Sequence, residues 1–105
     1  MILDAQTLLA YFDARAALHW SVSGEIELLP ETEKLIVSPF VIAQLEPMIR
    51  REFGLEGWLA TLEELAGGAW TIAAIDRSHL AAVRQMSAVA GSTIAEASVV
   101  VLAAS

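Results

Sequence analysis

The apolar run Leu35-Ile36-Val37 leads without a spacer into Ser38-Pro39, and that junction limits what the chain can fold into more than any other feature. Serine is a favoured N-cap because its hydroxyl accepts an unpartnered first-turn N–H, and proline at the next position gives up an N–H that has no helical partner anyway. A strand therefore passes directly into a helix that runs through Gln44 to about Phe53, where Gly54 closes it as a C′ glycine. The same order recurs at the start. Met1-Ile2-Leu3-Asp4 reads as a short buried strand ending in a carboxylate, followed by a helix over about Gln6 to Phe12 with Leu8, Leu9 and Phe12 on one stripe. Strands that hand over directly to helices build α/β domains with a parallel sheet.

The remaining segments fit that scheme. Ala14 to Leu29 is predicted as helix, weakened by Ser21, Ser23 and Gly24, with Pro30 ending it and Glu31-Thr32-Glu33 making a solvated loop. A helix over Glu56 to Ala66 carries Trp58, Leu59, Leu62 and Leu65 at helical spacing, and Gly67-Gly68 stops it. Thr71 to Ile75 is the third predicted strand, Asp76 caps a helix over about Arg77 to Val89, and after Gly91-Ser92-Thr93 a last helix fills Ile94 to Ala104. No repeat or linker interrupts the order, so the expectation is a single domain over residues 1–105, a three-layer α/β fold with a small parallel sheet flanked by helices.

Composition narrows the function. With no cysteine there is neither a disulfide nor a thiolate metal site, and no run approaches the roughly 20 apolar residues of a membrane span, so a cytoplasmic protein without a membrane role is expected. The formal charge of −7 speaks against a broad nucleic-acid face, because displacing counterions from phosphates takes Lys and Arg, of which there are 6. Arg50 and Arg51 after the central helix, and Arg77 and Arg84 later, allow only a small basic patch. An acidic surface suits a basic partner. The apolar fraction of 56% exceeds the usual 45–50% or so and points to a surface buried against another chain.

Read together, Met1-Ile2-Leu3-Asp4 with Leu8-Leu9-Ala10-Tyr11-Phe12-Asp13, Val37-Ser38-Pro39-Phe40-Val41-Ile42-Ala43, Leu62-Glu63-Glu64-Leu65-Ala66-Gly67-Gly68-Ala69-Trp70 and Ile94-Ala95-Glu96-Ala97-Ser98 resemble, in order, the PIN-domain family and within it the VapC-like toxin ribonucleases of toxin–antitoxin pairs. The resemblance implies a nuclease that gathers about four carboxylates around Mg²⁺ or Mn²⁺, hard cations that take oxygen ligands and activate water against a phosphodiester. It implies as partners an RNA substrate and an antitoxin-like protein, which in the family often sends an arginine or lysine to the metal site.

The acidic set of this chain is depleted. Asp4 matches the first carboxylate and Glu96 stands in place of an aspartate, one methylene longer; these two are the catalytic and metal-binding candidates. Gln44 stands where the family's Ala-Glu-Leu motif has its glutamate, Val89 falls where another aspartate is expected, and Gln6 replaces a Ser or Thr. Gln6, Gln44 and Glu46 are the site-lining candidates. Glu46 lies roughly 200° around a helix from Gln44 and reaches the site only if Pro47 kinks the axis. Each reading has a plainer rival: a strand-end Asp is commonly a helix cap, and a glutamate early in a helix commonly complements the helix dipole. His19 and His79 lack ligand spacing, and Trp20, Trp58 and Trp70 read as core or interface. Asp76-Arg77-Ser78-His79-Leu80 shares letters with a late family loop but precedes the last helix, so the likeness reads as coincidence.

Two functions follow as expectations. The first is a PIN-type endoribonuclease toxin of weakened activity, with Mg²⁺ or Mn²⁺ weakly held; the second is an inactive PIN-like module that binds an antitoxin-like partner or itself. The chain stops where VapC-like relatives run on through a further strand that pairs with the first. A C-terminally shortened fold would leave that sheet edge open, and a homo-oligomer is therefore expected.

Overall fold

A computed structural model describes residues 1–105. Its order is β1 (Ile2–Leu3), α1 (Ala5–Phe12), α2 (His19–Glu27), β2 (Leu35–Val37), α3 (Pro39–Leu65), β3 (Trp70–Ile72), α4 (Arg77–Ala90) and α5 (Ile94–Ala103). The strands form one parallel sheet in the order β1-β2-β3, with Leu3 beside Val37 and Val37 beside Ile72. β2 is central because it is flanked on both sides, and it carries the fully buried Val37. Parallel neighbours need long crossovers, which the helices supply. An α/β fold with a small parallel sheet and helices is thus what the sequence predicts.

The junctions fold as their residues dictate. Ser38 caps α3, its hydroxyl accepting the Phe40 N–H at 3.2 Å, with Pro39 at the first helical position. Asp4 caps α1 by accepting the Thr7 N–H at 2.8 Å, and Asp76 caps α4 by accepting the His79 N–H at 2.8 Å. From α3, Val41, Leu45 and Ile49 turn inward at intervals of four, meeting Leu3, Leu8, Trp58, Leu65, Trp70 and Ala95 in one apolar cluster.

Two details depart from the sequence reading. The helix expected over Ala14 to Leu29 begins only at His19, because the Asp13 carboxylate accepts the Arg15 N–H at 2.9 Å and holds the preceding residues in turns. β3 runs from Trp70 to Ile72, one residue earlier and shorter than predicted. As the sequence reading has it, the helix runs through Pro47 and is interrupted at Gly54, whose φ of 70° and ψ of −169° belong to glycine alone, and helix resumes beyond it.

Candidate functional site

β1 and β2 deliver the chain into α1 and α3 at their C-terminal ends, and α5, which follows α4 rather than a strand, lays its first turn beside those of α1 and α3. Between them is a recess of about 270 Å³ lined by Asp4, Gln6, Gln44 and Glu96, with Ala5, Val41, Ala95 and Val99 as its apolar wall. The structure thus brings together four of the five site residues named from the sequence, from segments as far apart as Asp4 and Glu96. Helix N-termini carry partial positive charge, which the carboxylates of Asp4 and Glu96 complement.

Both carboxylates also have local duties. Asp4 Oδ1 holds the Thr7 N–H. Glu96 and Thr93 form a capping box: the Thr93 hydroxyl donates to Glu96 Oε1 at 3.0 Å, and the Glu96 N–H donates to Thr93 Oγ1 at 3.2 Å. Each acid therefore keeps one carboxylate oxygen without a protein donor, and Gln6 and Gln44 add amide oxygens. That donor set is all hard oxygen and carries two negative charges. It fits a single divalent cation such as Mg²⁺ or Mn²⁺, which would be held by Asp4 and Glu96 with the glutamine oxygens beside them. It does not fit a pair of such ions, and no group of three or more Asp, Glu, His or Cys side chains is close enough to share a metal.

The fifth candidate lies elsewhere. Glu46 accepts from Arg50 Nε at 2.8 Å one turn along α3, which turns it off the recess and occupies Arg50 as well. With helical backbone dihedrals kept through Pro47, Glu46 stays on a different face of α3 from Gln44. Val89 is 89% exposed and lines a separate apolar recess with Met86, Val100 and Val101, so an acid there would not face Asp4 directly.

A larger groove of about 600 Å³ runs between α1, α2 and α3, with Tyr11, Phe12, Trp20, Ile26, Ile49 and Phe53 on its walls and Glu27 and Glu64 among its lining carboxylates. Trp20 is 78% exposed. Partial burial, then the Glu64 and Glu27 charges, push the Tyr11 hydroxyl above its usual pKa. Arg15 stands 4.9 Å over the Phe53 ring and pairs with Glu52 at 3.1 Å and Asp13 at 3.1 Å. Its hydrogen bonds and charge hold the Asp13 carboxyl below the usual carboxylate range.

Sequence reasoning missed one arrangement. His79, set aside for want of ligand spacing, is buried and its Nε2 lies 2.8 Å from Ser98 Oγ, which lies 2.8 Å from Ser38 Oγ. Spacing could not signal it, since the partners come from α4, α5 and the cap of α3. An inward-facing serine among the alanines of α5 is the one available clue.

No protein-family model matches the chain. Ribonuclease VapC26 of Mycobacterium tuberculosis is 45% identical over 73 residues, 70% of this chain and 53% of that protein. The chain thus spans about half the length of the curated relative it matches. The crystal structure of Mycobacterium tuberculosis VapC20, described as a sarcin-ricin loop cleaving toxin, superposes with a TM-score of 0.84 at 12% identity, covering 96% of this chain and 78% of that one. At that identity the match speaks for the fold, which is PIN-like. The resemblance to VapC-like proteins of the PIN-domain family, drawn from Asp4, Ser38-Pro39 and Ile94-Ala95-Glu96-Ala97-Ser98, is borne out by the two findings together.

Proposed function

We propose that this VapC-like chain is a metal-dependent endoribonuclease of the toxin kind, working with a reduced acidic set. The observation that carries the reading is the meeting of Asp4, Gln6, Gln44 and Glu96 in one recess where three helix N-termini converge. A bound Mg²⁺ or Mn²⁺ supplies charge stabilisation for a phosphodiester and makes nearby water more acidic. The chain's own residues do the rest. Asp4 and Glu96 supply the anionic oxygens, Gln44 and Gln6 orient polar groups without charge, and the Val41, Ala95 and Val99 wall restricts water on one side. Activity is weak on this reading, because two carboxylates neutralise a divalent ion less completely than four.

The test is cleavage of a sarcin–ricin loop RNA hairpin, the substrate named for VapC20, with Mn²⁺ and the wild-type chain beside Asp4→Ala. Slow cleavage confined to the wild type supports the reading. Equal cleavage by both, or none by a folded wild type that also binds no Mn²⁺, overturns it.

A second reading, the inactive partner-binding module, draws on the aromatic groove. Its apolar walls and the Glu27 and Glu64 carboxylates suit an amphipathic segment bearing Arg or Lys, as an antitoxin-like protein would offer. In that case Trp20→Ala abolishes capture of such a partner while the Asp4 and Glu96 variants leave capture intact.

A further inference from the structure

A run of buried polar side chains ties α5 to the cap of α3 and to α4. Ser98 Oγ stands 2.8 Å from Ser38 Oγ on one side and 2.8 Å from His79 Nε2 on the other. Ser38 and Ser98 are wholly buried and His79 is 9% exposed. Both ends of the run are anchored. Ser38 is the cap of α3 and already accepts the Phe40 N–H, while His79 sits in the first turn of α4, its own N–H held by Asp76.

These two contacts are the only hydrogen bonds that α5 makes to any other element. The rest of its inner face is apolar: Ala95 and Ala97, with Val99, Val101 and Leu102 half-buried. Small apolar groups let a helix lie close, but apolar contact is non-directional and leaves the helix free to slide or rotate by a fraction of a turn. A hydroxyl between two fixed partners allows neither, because hydrogen bonds weaken steeply with distance and angle. Glu96 lies two residues before Ser98 on the same helix, whereas Asp4 caps α1 and Gln44 belongs to α3. Whatever fixes α5 against α3 therefore fixes Glu96 against the other side of the recess.

We propose that Ser98 is a positioning residue which, together with His79, sets the Glu96 carboxylate opposite Asp4 and Gln44. The role rests on the reading of the recess as a divalent-cation site. In Ser98→Ala the helix itself is not weakened, since alanine is the better helix former. What is lost is the tie to Ser38 and His79, and α5 gains the freedom to shift. Ser98→Thr keeps the hydroxyl, and His79→Leu removes one partner while filling its space.

The test is calorimetric titration of Mn²⁺ into the wild type, Ser98→Ala, Ser98→Thr, His79→Leu and the Ser98→Ala/His79→Leu double variant, each checked as folded by circular dichroism. Asp4→Asn and Glu96→Gln serve as references for loss of a ligand. Removing a group that holds a metal ligand in place typically lowers affinity by about tenfold or more, and that loss is expected for Ser98→Ala and His79→Leu. The double variant falls no further than the weaker single one, because both cut the same run of bonds. Ser98→Thr recovers most of the affinity. Wild-type affinity in Ser98→Ala and His79→Leu, with Asp4→Asn and Glu96→Gln still impaired, overturns the positioning role and leaves the cation site standing. Absence of Mn²⁺ binding by the wild type overturns both. If Ser98→Ala fails to fold, wild-type affinity in His79→Leu is sufficient to overturn the role.

Discussion

Asp4 has two functions that one pair of substitutions separates. Its Oδ1 caps α1 through the Thr7 N–H at 2.8 Å, and its charge faces the recess it shares with Glu96. Asparagine is about as good an N-cap as aspartate, so Asp4→Asn keeps the hydrogen bond and removes only the charge. Loss of the favourable charge at a helix start costs about 0.3–1 kcal/mol, and relief of the repulsion from Glu96 opposes it, so Asp4→Asn is expected to be nearly neutral for stability. Asp4→Ala loses the cap as well, which costs about 1 kcal/mol more. For a domain near this size that lowers the melting temperature by about 4–8 °C. Metal binding divides the pair differently. Both substitutions remove half of the recess's negative charge, and both are expected to weaken Mn²⁺ by at least about tenfold, or about 1.4 kcal/mol. Thermal unfolding and calorimetry on the same samples settle the matter: Asp4→Asn should match the wild type in the first and Asp4→Ala in the second. Wild-type Mn²⁺ affinity in Asp4→Asn would remove the cation from this recess. Equal stability of the Asn and Ala variants would show that the cap contributes nothing.

Gln44→Glu adds a third carboxylate to the recess and should raise both Mn²⁺ affinity and RNA cleavage, whereas Val89→Asp, on a different recess, should add little to it; a double variant much better than Gln44→Glu alone would contradict that placement. Gly54→Ala should destabilise by about 1–3 kcal/mol in urea unfolding, because φ of 70° with ψ of −169° is closed to a side chain. The Tyr11 hydroxyl, raised by burial and by Glu64 and Glu27, should titrate above pH 10 by ultraviolet absorbance, and Glu64→Gln should bring it down. Since its pKa is higher folded than unfolded, its contribution to stability is whole below pH 10 and is lost as pH rises through the folded value. The edge position of β1 and the exposed Val89 and Val100 suit a homo-oligomer, for which sedimentation should show mass falling on hundredfold dilution and Val100→Lys should weaken assembly; a folded monomer at every concentration would rule it out.

Local chemistry was legible from the residues alone. Ser38-Pro39 starts a helix in any context that allows one, Asp4 and Asp76 cap because a short carboxylate reaches the nearest free N–H, and Gly54 breaks a helix because only glycine takes its dihedral angles. Such bonds span three or four residues, so sequence order is enough to place them. The family likeness extended that reach, since a motif such as Ile94-Ala95-Glu96-Ala97-Ser98 carries information about contacts the chain itself does not spell out. What the sequence left undecided depends on more distant neighbours. Whether Glu46 faces the recess turned on α3 keeping its helical dihedrals through Pro47 and on Arg50 lying one turn away. Whether Val89 belonged to the acidic set depended on how α4 meets α5. His79 looked idle until the packing of α4, α5 and the α3 cap placed its ring 2.8 Å from Ser98, because a buried hydrogen bond between residues far apart in sequence is chosen by the fold that removes the competing water.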